Sequence, residues 1–293
     1  MSLMFEPIRL EQQDAYAAML SRCPQLSSDY SFINLWAWAD EYGLTWAWEN
    51  DLVWIQQTVP EPVHWAPIGD WHGADWARLF STHFSEGIVV MRVPEKLTDM
   101  WRERVGRVDL EPLRGHWDYL YAGSDLIDLK GNRYHKKKNL LKQFLAGCSW
   151  QYTPLGPEIT EKALALQTDW CTWRDCEAVD MLAAENRVIE KVLRNWEYLK
   201  GITGGALVVD EAIIAYTVAE MLGPHTLVIH FEKGNPDYKG VYQAINQKFL
   251  EHFGNPDILV NREQDLDDEG LRKAKLSYHP VDFLRKFRCV FIR

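Results

Sequence analysis

The chain carries none of the short signatures of the commonest enzyme classes. It has no Gly-x-Ser-x-Gly elbow, no Walker phosphate loop, no His-Glu-x-x-His pair and no Gly-x-Gly-x-x-Gly turn. Elbow hydrolases, P-loop NTPases, zinc peptidases and Rossmann dehydrogenases all lose ground. Cysteine is scarce, odd in number and scattered: Cys23, Cys148, Cys171, Cys176 and Cys289. Cys171 and Cys176 do not form a Cys-x-x-Cys pair, and no histidine pattern completes a metal site. Free, mostly buried thiols and no bound metal are therefore expected. No window approaches the ~20 apolar residues of a membrane span. Met1-Ser2-Leu3-Met4-Phe5-Glu6 lacks the basic-then-apolar order of a secretory signal, which predicts a cytoplasmic protein without a transmembrane segment.

Cations are sparse in the first part of the chain. Residues 1–120 hold 9 Lys+Arg against 18 Asp+Glu, and the remainder holds 23 against 24, within a formal net charge of -10. Ten of the 14 tryptophans also lie in the first 120 residues. This asymmetry, with a length of 293 residues, predicts two domains, 1–120 and 121–293. The acidic half should repel nucleic acid and anionic lipid, so an anionic partner must meet the second half. Trp36, Trp38, Trp46, Trp48, Trp54, Trp65, Trp71 and Trp76 could line a groove, but core packing is the expected role for such large apolar areas.

What is present is an alternation of helical and strand patterns. Residues 11–21, 29–38, 71–84 and 95–105 read as helices. Residues 44–48 and 52–56 flank the turn Glu49-Asn50-Asp51, and 88–92 and 117–121 read as further strands. The second half predicts helices at 132–146, 158–173, 179–198, 238–253 and 269–277. Its strands are expected at 149–153, 205–209, 212–221, 226–233, 257–260 and 287–292. Antiparallel strands with one helix crossing between two of them describe an α+β layer of acyltransferase type. No low-complexity run or long Gly/Ser linker interrupts it.

Polar groups gather at two strand ends in the second half. His230 and Glu232 are two apart in a strand, and period two puts them on one face, where they could deprotonate an amine or hydroxyl or merely tie the sheet to a helix. The stretch Gly234-Asn235-Pro236-Asp237-Tyr238-Lys239-Gly240-Val241-Tyr242 opens a helix whose free N–H groups suit phosphate or carboxylate, although capping alone explains Asn, Pro and Asp there. Gln243 and Asn246 share a face of that helix. Asn261, Arg262, Glu263 and Asp265 follow the next strand, at the end where ligands bind in sheets with helical crossovers. Arg272 and Lys275 are three apart on one helix face, and Tyr278 follows. They make an anion clamp or a salt-bridge network. The strongest positive stretch holds Lys130, Arg133, Lys136, Lys137, Lys138 and Lys142 with no acid among them. It suits the phosphates of a tRNA acceptor stem, a coenzyme or a lipid headgroup, or else it is a solvated helix face.

With those residues in view, the chain resembles a bacterial domain-of-unknown-function family related to the C-terminal domain of phosphatidylglycerol lysyltransferase. The matching stretches are Leu129 with Lys130 to Asn139, His230-Phe231-Glu232-Lys233, Tyr238-Lys239-Gly240-Val241-Tyr242-Gln243-Ala244-Ile245-Asn246, Asn261 to Leu266, and Gly270 to Pro280. The resemblance implies two tandem GNAT-like acyltransferase domains, each a mixed, mainly antiparallel sheet flanked by helices. It implies an acyl- or aminoacyl-transferase with no tightly bound cofactor. The donor would be aminoacyl-tRNA or acyl-CoA, and the acceptor a small molecule, peptide or lipid headgroup bearing an amine or hydroxyl. A non-catalytic binding module on the same scaffold is the alternative. In this reading Glu232, helped by His230, takes the nucleophile's proton and Tyr278 protonates the leaving group. Lys239, Gly240, Tyr242, Asn246, Asn261, Arg262, Arg272 and Lys275 hold the donor. Lys130, Arg133, Lys136, Lys137 and Lys138 extend the anion-binding surface.

Overall fold

Apolar, aromatic-rich strands build the first sheet, and one pair of them is joined by a two-residue turn. The computed structural model describes residues 3–84, 87–106 and 108–291. Ile292, the end of the last expected strand, and Met1-Ser2 of the N-terminal reading lie outside the described residues. The first compact unit comprises Met1–Asp118, Gln264–Glu269 and Phe283–Arg293. Its strands are β1 (Glu6–Pro7), β2 (Thr45–Glu49), β3 (Leu52–Gln57), β4 (Val63–Gly69), β5 (Ile88–Pro94) and β6 (Val108–Pro112). Its helices are α1 (Gln13–Leu20), α2 (Phe32–Ala37), α3 (Ala39–Tyr42), α4 (Trp76–His83) and α5 (Glu95–Arg104). The β2–β3 turn is the expected one, with Asn50 at φ 53°, as a two-residue hairpin requires. α4 begins later than expected because Asp75 caps it, accepting from the Arg78 N–H, and residues 71–75 lie outside the helix. Trp36, Trp46, Trp54, Trp65, Trp71, Trp76 and Trp101 are buried, seven of the ten tryptophans in residues 1–120, so most of these tryptophans serve as core.

The second unit comprises Tyr119–Glu263 and Gly270–Asp282. The second sheet, whose edges run a residue or two past these bounds, has β7 (Asp118–Ala122), β8 (Gln151–Pro154), β9 (Ile202–Val209), β10 (Ala212–Met221), β11 (Thr226–Gly234), β12 (Leu259–Asn261) and β13 (Asp282–Leu284). They lie in the order β13-β7-β12-β11-β10-β9-β8. The helices are α6 (Gly123–Asp128), α7 (His135–Gly147), α8 (Thr160–Arg174), α9 (Asp180–Arg194), α10 (Val241–Phe253) and α11 (Glu269–Leu276). β9, β10 and β11 form the expected antiparallel meander, and α10 crosses over so that β12 pairs parallel to β11. Gly240, expected to let a donor approach, instead lets a helix approach. Its φ is +90°, and a Cβ there would sit 2.1 Å from the Leu140 carbonyl oxygen of α7.

The last strand, β14 (Lys286–Phe291), belongs to the first sheet, whose order is β1-β2-β3-β4-β5-β14-β6. A single boundary at 120 assigned this strand and residues 264–269 to the second half, whereas both group with the first. The fold is α+β, with two mixed, mostly antiparallel sheets flanked by helices. The expectation of free thiols fails at one place. Cys171 and Cys176 are joined as a disulfide across the turn that ends α8. The five-residue spacing, unlike a metal motif, bridges because the helix stops at Asp175 in the left-handed region. Cys23 and Cys289 are buried free thiols, and Cys148 is half-buried.

The first unit also buries charge. Lys286 is fully buried and bonds to Asp29 and, at 2.7 Å, to Asp118. Asp29 also receives Arg92 and the Gln264 amide, and Asp118 accepts from the Ser28 N–H and hydroxyl. Burying ions is costly unless each is paired and hydrogen-bonded. Here two carboxylates meet two cations, which is why the network survives in the core.

Candidate functional site

β11 and β12 are paired only from Thr226↔Leu259 to Val228↔Asn261. β12 then stops, while β11 runs on to Gly234. The two parallel strands therefore leave a notch at their C-terminal ends, the position where such sheets admit ligands. Asn261 shapes the exit. It is fully buried, and its Oδ1 accepts from the Glu263 N–H at 2.8 Å, turning the chain so that Arg262 enters the notch.

Arg262 organises what is there. Its guanidinium donates to Glu232 Oε1 at 3.0 Å, and the buried Asn246 amide of α10 donates to the other oxygen at 3.2 Å. The Tyr278 ring lies under Arg262, 5.1 Å from centroid to Cζ, and the Lys137 Nζ of α7 stands 4.1 Å from the same centroid. Gln243 of α10 also lies beside the Tyr278 phenol. Burial pushes the Tyr278 phenol up, against the opposing pull of Arg262, so it keeps its proton. Burial and then Arg262 lower Lys137 to about 8, and Glu232 only partly offsets them. Lys275 does not reach into the notch as an anion ligand. Its Nζ donates to the Arg262 carbonyl at 2.7 Å, and its own carbonyl accepts from Tyr121 Oη at 2.8 Å. It braces the turn that carries Arg262.

His230 lies elsewhere. In the β10–β11 register Val218 pairs with Phe231 and Ala219 with Ile229, so His230 is the bulged residue. A bulge interrupts period-two alternation, and the inference that put His230 and Glu232 on one face fails there. His230 Nδ1 bonds Glu263 at 2.8 Å and Nε2 bonds Glu220 at 3.1 Å. Burial opposes its charge, but the two glutamate hydrogen bonds outweigh this and raise it to about 9. It is an imidazolium with both nitrogens committed, not a base beside Glu232. A histidine raised in this way stabilises the fold fully below its unfolded value of ~6.5. That contribution is lost as pH rises through about 9. Urea unfolding across this window should show the decline in the wild type and a shallower one in His230→Gln. Parallel curves would remove the imidazolium assignment.

The sequence pattern of the family described as phosphatidylglycerol lysyltransferase, C-terminal, matches residues 21–290. The chain belongs to this family. No curated protein matches it in sequence. Among solved structures it is similar to a conserved protein of unknown function from Bacteroides thetaiotaomicron VPI-5482, at 28% identity and TM-score 0.90 with 99% of each chain covered. It is also similar to L-PGS from Bacillus licheniformis, at 12% identity and TM-score 0.64, with 95% of this chain and 91% of that one covered. FemX is similar at 8% identity and TM-score 0.57, with 98% and 97% covered. At these identities the last two likenesses establish the fold.

In this lysyltransferase-family chain the other expected residues take varied places. Lys239 is exposed on the loop before α10. Tyr242 is structural: its hydroxyl donates to the Gly234 carbonyl and accepts from Trp170 Nε1. Arg272 lies on α11, half-buried, three residues before Lys275. Lys130 pairs with Asp128 and Arg133 with Asp125, on the exposed start of the basic stretch. Lys136 is exposed and Lys138 half-buried. Of the sequence candidates, the structure therefore gathers Glu232, Arg262, Tyr278, Asn246 and Lys137. Gln243, a partner of Tyr278, was visible only as a face-mate of Asn246. Tyr121 had no sequence signal beyond its strand. Among the described residues no helix is long and apolar enough to cross a membrane.

Proposed function

We propose that this chain is an aminoacyltransferase whose donor enters the notch between β11 and β12. The observation that carries the reading is the cluster of Arg262, Lys137 and the protonated Tyr278 where those strands part. Two cations against the single carboxylate of Glu232 favour an anionic donor, and the lysyl group in the family's description favours an aminoacyl ester, such as tRNA carries, over acyl-CoA. In the reaction the acyl–oxygen bond of the donor breaks and an acyl bond to an acceptor amine or hydroxyl forms. The acceptor's proton must reach the departing oxygen. The Tyr278 hydroxyl suits that relay, giving its proton to the leaving group and taking the acceptor's. Glu232 is reassigned from base to positioning residue, because both its oxygens are engaged by Arg262 and Asn246. The exposed Lys136 and Lys239 suit phosphates farther along the donor.

Charged tRNA should bind saturably, with affinity falling steeply as salt rises, and acetyl-CoA should leave the melting temperature unchanged. Stabilisation by acetyl-CoA with no binding of tRNA would reverse the donor assignment. The mutual pairing of Glu232 and Arg262 also favours a second reading, a binding module without turnover. Donor binding with no deacylation in the presence of any amine or hydroxyl acceptor selects it.

A further inference from the structure

Three consecutive lysines open α7, and only the middle one turns into the protein's own chemistry. Lys136 is exposed, whereas the Nζ of Lys137 lies over the Tyr278 ring at 4.1 Å. Its charged neighbours come from three elements: Arg262 just past β12, Glu232 on β11, and Lys136 and Lys138 on its own helix. Glu232 is already spent on Arg262 and Asn246. Lys137 thus has a cation and an aromatic face beside it, with no committed carboxylate. Desolvation and a neighbouring cation are the two conditions that turn a lysine into a nucleophile.

We propose that Lys137 is a self-acylation site, its amine taking the acyl group of an activated ester or thioester that enters the notch beside Arg262 and Tyr278. The neutral Nζ attacks the acyl carbon, a C–N bond forms, and the C–O or C–S bond breaks. The amine's proton leaves with the alcohol or thiol. The product is an amide that cannot take up a proton, so the notch loses one cation and the contact with Tyr278 loses its charge. Acylation would therefore weaken any anionic ligand of the notch. This modification goes beyond the transfer reaction and does not require it.

The size of the effect follows from two opposing factors. At pH 8 an ordinary lysine of pKa ~10.4 is only about 0.4% neutral, against about half of a lysine at ~8, a gain of roughly 100-fold. A weaker base is a poorer nucleophile, and a Brønsted slope of ~0.4–0.5, as for thiolates, takes back roughly tenfold. The net preference is about tenfold. The test uses p-nitrophenyl acetate on the full chain near that pH, with acetylation mapped by mass spectrometry after cleavage at acidic residues. Lys137 should be acetylated about tenfold faster than Lys136 and Lys138. Its rate should level off above about pH 8. Lys137→Arg should remove the fast site and leave the other two unchanged. Equal labelling of the three lysines, or slower labelling of Lys137, overturns the proposal. Because the probe is neither tRNA nor its acceptor, failure here and failure of the aminoacyl-transfer reading are separately visible.

Discussion

Lys286→Ala should destabilise the protein by about 3–5 kcal/mol, the usual effect of removing one partner from a buried ion network. At ~2–4 °C per kcal/mol this is a fall of roughly 10 °C in Tm. The reason is not the lost bonds but what they leave behind. Asp29 and Asp118 remain fully buried, with Arg92 as the remaining cation on Asp29. In the wild type, burial pushes the Asp29 carboxyl up, but Lys286 and Arg92 outweigh it and hold it far below the usual carboxylate range. Its stabilising contribution is therefore present above the unfolded pKa of ~3.9 and lost as pH falls. In the variant the upward push of burial meets less opposition. The deficit relative to wild type should shrink on acidification, because protonation relieves the stranded charge. Lys286→Met fills the volume but not the charge and should show the same pH trend. A Tm within a degree or so of wild type, where typical surface substitutions fall, would show that the network carries no such stress.

On the proposed function, Arg262→Gln should lower aminoacyl transfer by about 10²–10³-fold, the scale seen when one preorganised charge-stabilising donor is removed. It should also destabilise the fold, since Glu232 loses its ion pair in a largely buried site. The two effects separate in the double variant. Glu232→Gln with Arg262→Gln removes both charges, so thermal stability should return most of the way while transfer stays lost. If transfer returns together with Tm, Arg262 serves the fold rather than the donor. Lys275→Met probes the brace behind it. Milder losses in both readouts are expected there, because the carbonyl of Arg262 is released while its guanidinium stays on Glu232.

Much of this was legible because local chemistry and tertiary packing agree. Glu49-Asn50-Asp51 gave a hairpin, and the turns at Asp210-Glu211 and Gly223-Pro224 separate the three strands of the β9–β11 meander. The misses have physical causes. β4 contains Pro67, which argues against an interior strand. The sheet accommodates it where the β3–β4 register shifts between Val53 and Ile55. β14 has a plain strand pattern, but no local feature says which sheet it joins. The bulge at His230 adds no distinctive residue, so periodicity ran straight through it. At the site, residue types and strand ends were readable, which located Arg262 and Tyr278. Which carboxylate meets which cation was not. The pairing of Glu232 with Arg262, and the place of Lys137 apart from the lysines on either side, came only from the packing.

The place of β14 between β5 and β6 carries a consequence for biosynthesis. Domains usually fold in the order in which they leave the ribosome. Here the earlier unit cannot complete its sheet until residues translated after the whole of 119–263 have emerged, and until then β5 and β6 lack the neighbour that separates them. The later unit has the continuous run 119–263 in hand before either sheet receives its last strand. Between the emergence of β6 and that of β14 the nascent chain therefore holds two unsatisfied strand edges together with the tryptophan-rich core, and an exposed strand edge is a template for aggregation.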